Sequence, residues 1–181
     1  NPLWVNVAKS FTYGGGASIA SVQTSNQYIY TTVVFKWKTE FAGVVYENSQ
    51  NSQEYNTLLV KLDTMGQVVE SHLFNNIVFY LFHVDNSSNY YCSAPLFTPI
   101  SINSQTFSSN GGTDVLIFKL NNQLQLQWEQ QIGGTNDEDL SKFVTDTQNN
   151  IYITGNFKSP TLSLGSTQLS NTYSGSNNFY L

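Results

Sequence analysis

Arginine is absent from this 181-residue chain, and its positive charge comes from seven lysines scattered singly along it. Without a basic stripe, and with a net charge of −5, it has no electrostatic footprint for nucleic acid or anionic lipid. Charge of either sign is scarce. Charged residues make up 10% of the chain, against about 25% in an average soluble domain. No apolar run approaches the roughly 20 residues that span a bilayer as a helix. The longest, Ile77 to Phe82, is strand-sized, and no membrane insertion is expected. A single cysteine, Cys92, excludes an internal disulfide and reads as a small buried filler. No segment shows a sustained 3.6-residue apolar period with caps, so helix is not expected.

What is present favours sheets. Twelve Phe, eleven Tyr and three Trp, together with many Thr and Val, suit a pleated, half-buried surface. Strand-length segments bounded by Gly, Asn, Asp and Ser lie near 3–8, 17–23, 27–36, 56–63, 67–74, 77–84, 89–96, 114–120, 124–131, 140–146, 150–157 and 177–181. Asp63 to Gly66, Asn121 to Gln123, Asp85 to Ser88 and Thr147 to Asn149 supply turn chemistry between them. Gly14-Gly15-Gly16 reads as a further turn.

The segments repeat. Leu58 to Leu62 returns as Leu116 to Leu120, placing Lys61 and Lys119 58 positions apart. Tyr28-Ile29-Tyr30-Thr31-Thr32 returns near Tyr90-Tyr91-Cys92 and again at Ile151-Tyr152-Ile153-Thr154. Two independent landmarks with a period near 60 point to an array of sheet units. Three long segments, 37–55, 97–113 and 158–176, fall at one place in the repeat and read as irregular insertions on one face. Four antiparallel strands per period predict an all-β, propeller-type architecture. A single domain spans 1–181, with blades near 9–74, 75–132 and 133–181 and strand 3–8 belonging to a neighbouring blade.

The residues from Asp114 to Phe157 carry a family likeness. Asp114, Lys119-Leu120, Trp128, Gly133-Gly134, Asp146, Asn150, Tyr152 and Thr154-Gly155 fall where the seven-bladed β-propeller repeat family abbreviated SBBP has its landmarks. The chain resembles that family, well in this copy and less well upstream, where Glu70 stands in place of Trp128. The resemblance implies a propeller scaffold in secreted or surface proteins and carries over no catalytic residue. In this reading Gly133 and Gly134 make a tight turn with positive φ. Trp4 and Trp128 wedge between blades, and Lys61 and Lys119 point outward or pair with an Asp of the repeat.

The phase is offset, since the chain opens in a fourth strand and closes in a third. This suggests an excised piece, or copies completing one another head to tail. The Asn-Pro opening agrees with processing. Asn86-Ser87-Ser88 is a glycosylation sequon in a turn.

Chemistry has few anchors. Asp137, Glu138 and Asp139 form the densest acidic cluster, a candidate calcium site on residue type but without EF-hand spacing. His72 and His83 lack zinc-ligand spacing, and no nucleophile elbow or phosphate loop is present. Aromatics at the mouth of the first insertion, Phe35, Trp37, Phe41 and Tyr46, are candidate ligand-binding residues, with Phe97 and Phe107 flanking the second. The expectation is a non-catalytic scaffold or protein-interaction module, extracellular or at a cell surface, with self-association or protein partners. The alternative is a carbohydrate-binding module using the loop aromatics, with calcium as an optional ion.

Overall fold

A computed structural model describes residues 4–10, 16–48, 54–172 and 178–180. Gly14, Gly15 and the ends of the segments expected at 3–8 and 177–181 lie outside them. The described residues are all β, with antiparallel sheets, no helix and no closed barrel. They form two compact units, Asn1–Ser88 and Asn89–Leu181.

The first unit holds β1 (Ala8–Ser10), β2 (Ala17–Ser25), β3 (Tyr28–Lys36), β4 (Lys38–Phe41), β5 (Val44–Glu47), β6 (Tyr55–Leu62), β7 (Val68–Phe74) and β8 (Tyr80–Val84). A four-stranded sheet runs in the order β2-β3-β6-β7, and a smaller one runs β1-β4-β5. Strand alternation gives the large sheet two faces. The front carries Val33, Phe35, Leu58, Val60 and Leu62, all buried against Phe41 and Tyr46 of the β4–β5 hairpin. Burying one such side chain stabilises the fold by about 1.5–3 kcal/mol. The hairpin's exposed ion pairs, Lys9–Glu40 at 2.6 Å and Lys38–Glu47 at 3.2 Å, are each worth about 0–1 kcal/mol. Packing therefore holds the hairpin down. A buried amide cluster closes its end, where Asn48 Nδ2 donates to Asn56 Oδ1 at 2.8 Å and to Asn76 Oδ1 at 3.0 Å.

The back of that sheet is polar and faces β8. The Leu81 amide donates to Ser21 Oγ at 3.3 Å, the Ser25 hydroxyl to the Asp85 carbonyl at 3.3 Å, and Asn26 Nδ2 to the Asn86 carbonyl at 3.0 Å. At the N-terminal side, Trp4 Nε1 donates to the Thr64 carbonyl at 3.0 Å and Asn6 Nδ2 to the Gly66 carbonyl at 2.9 Å. All five bonds join residues separated by 60 positions, the period read from the sequence. Within this unit, segments about one period apart are thus in contact.

The second unit holds β9 (Tyr90–Leu96), β10 (Ile100–Ile102), β11 (Gln105–Phe107), β12 (Asp114–Leu120), β13 (Leu126–Gly133), β14 (Glu138–Thr145), β15 (Ile151–Phe157), β16 (Thr161–Leu164), β17 (Thr167–Ser170) and β18 (Asn178–Tyr180). One sheet contains the order β17-β16-β13-β12-β9, another runs β14-β15-β18, and β10 pairs with β11. β13 is shared: residues Leu126 to Ile132 pair with β12, while Ile132 and Gly133 also pair with Leu164 and Ser163 of β16. β1 pairs with β4 in the corresponding way.

Defects recur with the strands. Register shifts fall between Lys61 and Leu62 and between Lys119 and Leu120, and again between Ile19 and Ser21 and between Leu140 and Lys142. A bulge re-aims the side chains beyond it, so its recurrence at equivalent positions shows structural repetition, not shared composition alone. Turns recur too. Oδ1 of Asp63, Asn121 and Asp146 each accepts amides two and four residues on. The fourth residue has positive φ: Gly66, Leu124 and Asn149.

Two expectations are corrected. Residues 4–7 form no strand, and the strand expected at 3–8 begins only at Ala8, where pairing with β4 becomes available. The three insertions are not irregular: each contains a short hairpin, β4–β5, β10–β11 or β16–β17. Strands of three or four residues are too short for a periodicity signal. Their two-residue turns were the readable cue, with positive φ at Ala42-Gly43 and Asn103-Ser104.

Gly66 and Gly43 share a φ of +80°, but a Cβ on Gly66 meets the Trp4 ring while one on Gly43 meets open space. Gly43→Ala is expected to cost about 1–2 kcal/mol for the left-handed backbone alone. Gly66→Ala should cost more, and a double-mutant cycle with Trp4→Ala in urea unfolding should recover the excess. Cys92 is fully buried and its thiol pKa is pushed well up by desolvation. It should resist thiol reagents in the native state and label at the rate of unfolding.

Candidate functional site

The acidic cluster lies where β14 begins, and alternation along the strand separates its members. Glu138 is 3% exposed. Its Oε1 accepts from the Ser159 hydroxyl at 2.5 Å and the Ser159 amide at 3.3 Å, and its Oε2 accepts from the Gly134 amide at 2.8 Å. Burial raises its pKa above the ordinary 4.5 despite these bonds, with nearby Asp114 adding to the rise. Asp137 points outward, accepting from the Thr113 amide at 3.1 Å and pairing with Lys158 at 3.1 Å. Those contacts hold its pKa low. Asp139 accepts from the Asn156 amide at 3.1 Å and from Asn156 Nδ2 at 2.9 Å. The three carboxylates do not converge. Among the described residues, no group of three or more His, Cys, Asp or Glu side chains is placed to hold one metal ion. Each acid accepts from a backbone amide, and for buried Glu138 these bonds replace the water its charge would otherwise have.

Asp114 and Glu138 flank Gly133-Gly134 and explain the glycines. A Cβ on Gly133 would enter the Asp114 carboxylate, and one on Gly134 would enter the Ser159 side chain. Neither glycine has positive φ, so the expected tight-turn role is replaced by close approach. Asp114 is fully buried, with Oδ2 accepting from the Asn110 amide at 2.9 Å and Gln131 Nε2 at 2.6 Å.

The aromatic candidates of the first insertion are divided. Phe35 is 0% and Phe41 1% exposed, and Tyr46 packs beside them with its hydroxyl 3.1 Å from Ser71 Oγ. Only Trp37 reaches the surface, at φ +63°. Phe107 is buried and Phe97 exposed. Strand alternation, invisible while this segment was read as a loop, sends Thr39 and Phe41 inward. His72 Nε2 lies 2.7 Å from Glu70 Oε1 at the surface.

No local sequence pattern signals an aromatic trough that the second unit holds. Ile117 of β12, Trp128 and Gln130 of β13, Ile151, Tyr152 and Ile153 of β15, and Leu164 of β16 line an open cavity of about 430 Å³. It opens between neighbouring sheets of the second unit. Trp128 packs edge-on against Tyr91 at 6.3 Å, and Lys119 Nζ lies 4.7 Å from the Tyr91 ring centre. Lys61 stands over Tyr28 at 4.1 Å and Tyr30 at 5.9 Å in the first unit. The repeat lysine therefore lies over a cross-strand tyrosine ring. None of the residues lining the trough is Asp, Glu, His, Lys or Cys. It suits an apolar body with one amide to orient it.

No family model matches the chain, and no match is found among curated proteins or solved structures.

Glu138→Gln places an amide NH₂ against the donors of Gly134 or Ser159. A loss of about 1–3 kcal/mol in urea unfolding at neutral pH is expected. A carboxyl with a raised folded pKa contributes most below its ordinary value, and that contribution is lost as pH rises through the raised value. The stability gap between wild type and Glu138→Gln should therefore widen on acidification. The lowered values of Asp137 and Asp146 act in the opposite sense, their contribution being lost as pH falls.

Proposed function

We infer that the chain is a non-catalytic, propeller-type repeat scaffold that presents its insertion hairpins and sheet faces to protein partners outside the cell or at its surface. The observation that carries this reading is the set of hydrogen bonds between residues 60 positions apart. Stacked repeats of this kind build extended surfaces from neighbour contacts. The recurring bulges, the recurring Asx-bonded turns and the likeness to SBBP repeats support the same conclusion. Asn86 is exposed in its turn, consistent with an extracellular sequon. The acidic residues of the β14 loop are committed to backbone amides, which supports a structural and not a hydrolytic role.

A second reading is favoured by the trough alone. Trp128 with Gln130 supplies one aromatic face and an amide, the elements of carbohydrate recognition. Four aliphatic neighbours argue against it, since they leave sugar hydroxyls without partners.

The test is a glycan array and a panel of chromogenic glycosides with the purified chain. The scaffold reading expects neither binding nor turnover. Binding abolished by Trp128→Ala would transfer the function to carbohydrate recognition, and hydrolysis abolished by Asp137→Ala or Asp139→Ala would overturn the non-catalytic assignment. Within the scaffold, Ser21→Ala removes a stacking acceptor and should lower stability by about 0.5–1.5 kcal/mol in urea unfolding.

A further inference from the structure

Equivalent positions of the two units differ in burial in a way that points to an occupant. Pairing registers align Ile19 and Val22 of β2 with Leu140 and Phe143 of β14. Ile19 faces Val33 and Val22 faces Thr31, while Leu140 faces Gly155 and Phe143 faces Ile153, with the same bulge between the members of each set. Phe143 is 7% exposed and belongs to a strand packed near β12. Val22, its counterpart on the front of the first unit's sheet, is 57% exposed, and Ile19 is 46% exposed. The opposite asymmetry holds for the backs. Tyr30 is 0% exposed, while Tyr152 at the equivalent place on β15 is 50% exposed, beside Val144 at 60%. The first unit thus leaves open the β2 edge of its front, beside the part its own hairpin covers, where the second unit buries the equivalent Phe143, and the second unit leaves open a back of the kind the first buries.

We propose that a second copy of this chain covers these surfaces, head to tail: the back of β14–β15 in one copy, through Val144 and Tyr152, packs on the exposed β2 edge of the first unit's front in the next, through Ile19 and Val22. This rests on the stacked-repeat reading of the chain. The occupant is a second copy because, inside the second unit, Ile151 and Ile153 of such a front face Ile117 and Trp128 on the back of the β12–β13 sheet. The back of β14–β15 is the open surface of that kind. The 60-residue bonds show that adjacent repeats contribute polar contacts alongside the apolar ones. Two different patches meet, so the contact is heterologous and propagates or closes a ring. Aromatic and β-branched side chains at the centre of such an interface carry most of its energy.

Sedimentation of the full chain over a wide concentration range tests this. Concentration-dependent association is expected. Val22→Lys and Tyr152→Lys should each weaken it by about tenfold or more, with far-UV circular dichroism and urea midpoint retained because both side chains are exposed. Mixing the two variants should restore a capped dimer, since one keeps an intact back and the other an intact front. Ile19→Lys and Val144→Lys form a second pair should either of the first fail to fold. A wild-type chain that stays monomeric at every concentration, or a mixture that shows no dimer, overturns the proposal. Neither result bears on glycan binding or hydrolysis, so the scaffold assignment stands or falls separately.

Discussion

Each sheet of this protein has two faces, and neither can be left to water at full length without cost. The front of the first sheet is apolar and is covered by a hairpin from its own repeat. The back carries Ser21, Ser25 and Asn26, which bond to residues one period further along. Successive repeats are thereby tied by hydrogen bonds as well as by packing. Removing a partner from such a contact leaves a half-buried polar group unsatisfied, a cost of about 1–3 kcal/mol. A low content of charge follows from the same constraint. Sheets in close succession leave little surface on which a charged group remains hydrated, and Asn, Gln, Ser and Thr supply neutral polarity in its place.

The insertion hairpins are part of this arrangement. Phe41 fills the core under β4, Leu162 is fully buried under β16, and the tail of β13 pairs with β16 across the end of its sheet. A hairpin therefore both covers a sheet and receives a strand end. Gly133 and Gly134 lie at that crossing, where the Asp114 carboxylate and the Ser159 side chain take the space a side chain would need. The densest acidic stretch of the chain is a fastening for backbone, and it was misleading as a clue to chemistry because residue type alone says nothing of direction along a strand.

Much was legible beforehand. The strand segments near 17–23, 27–36, 56–63, 67–74, 89–96, 114–120 and 150–157 appear as β2, β3, β6, β7, β9, β12 and β15, with ends moved by one or two residues. They were readable because they are long enough to show alternation and are bounded by Asp and Asn turns with a local bonding rule. Phe41 and Tyr46 were legible as aromatics of one insertion but not as packing partners of the sheet, since the hairpin that turns them inward has strands of four residues. The trough around Trp128 was not legible at all: its walls come from β12, β13, β15 and β16, which no local pattern brings together.

The amino-acid sequence by itself determined that the chain is all β, where its longer strands and turns fall, and that they recur with a period near 60. These depend on alternation, turn chemistry and self-similarity, which are local or comparative properties of the chain. Only the tertiary structure decided which aromatics are core, that Lys61 and Lys119 lie over tyrosine rings, that Gly133 yields its space to Asp114, and which faces stay open. Those outcomes depend on distances between residues tens of positions apart, and such distances exist only once the sheets have come together.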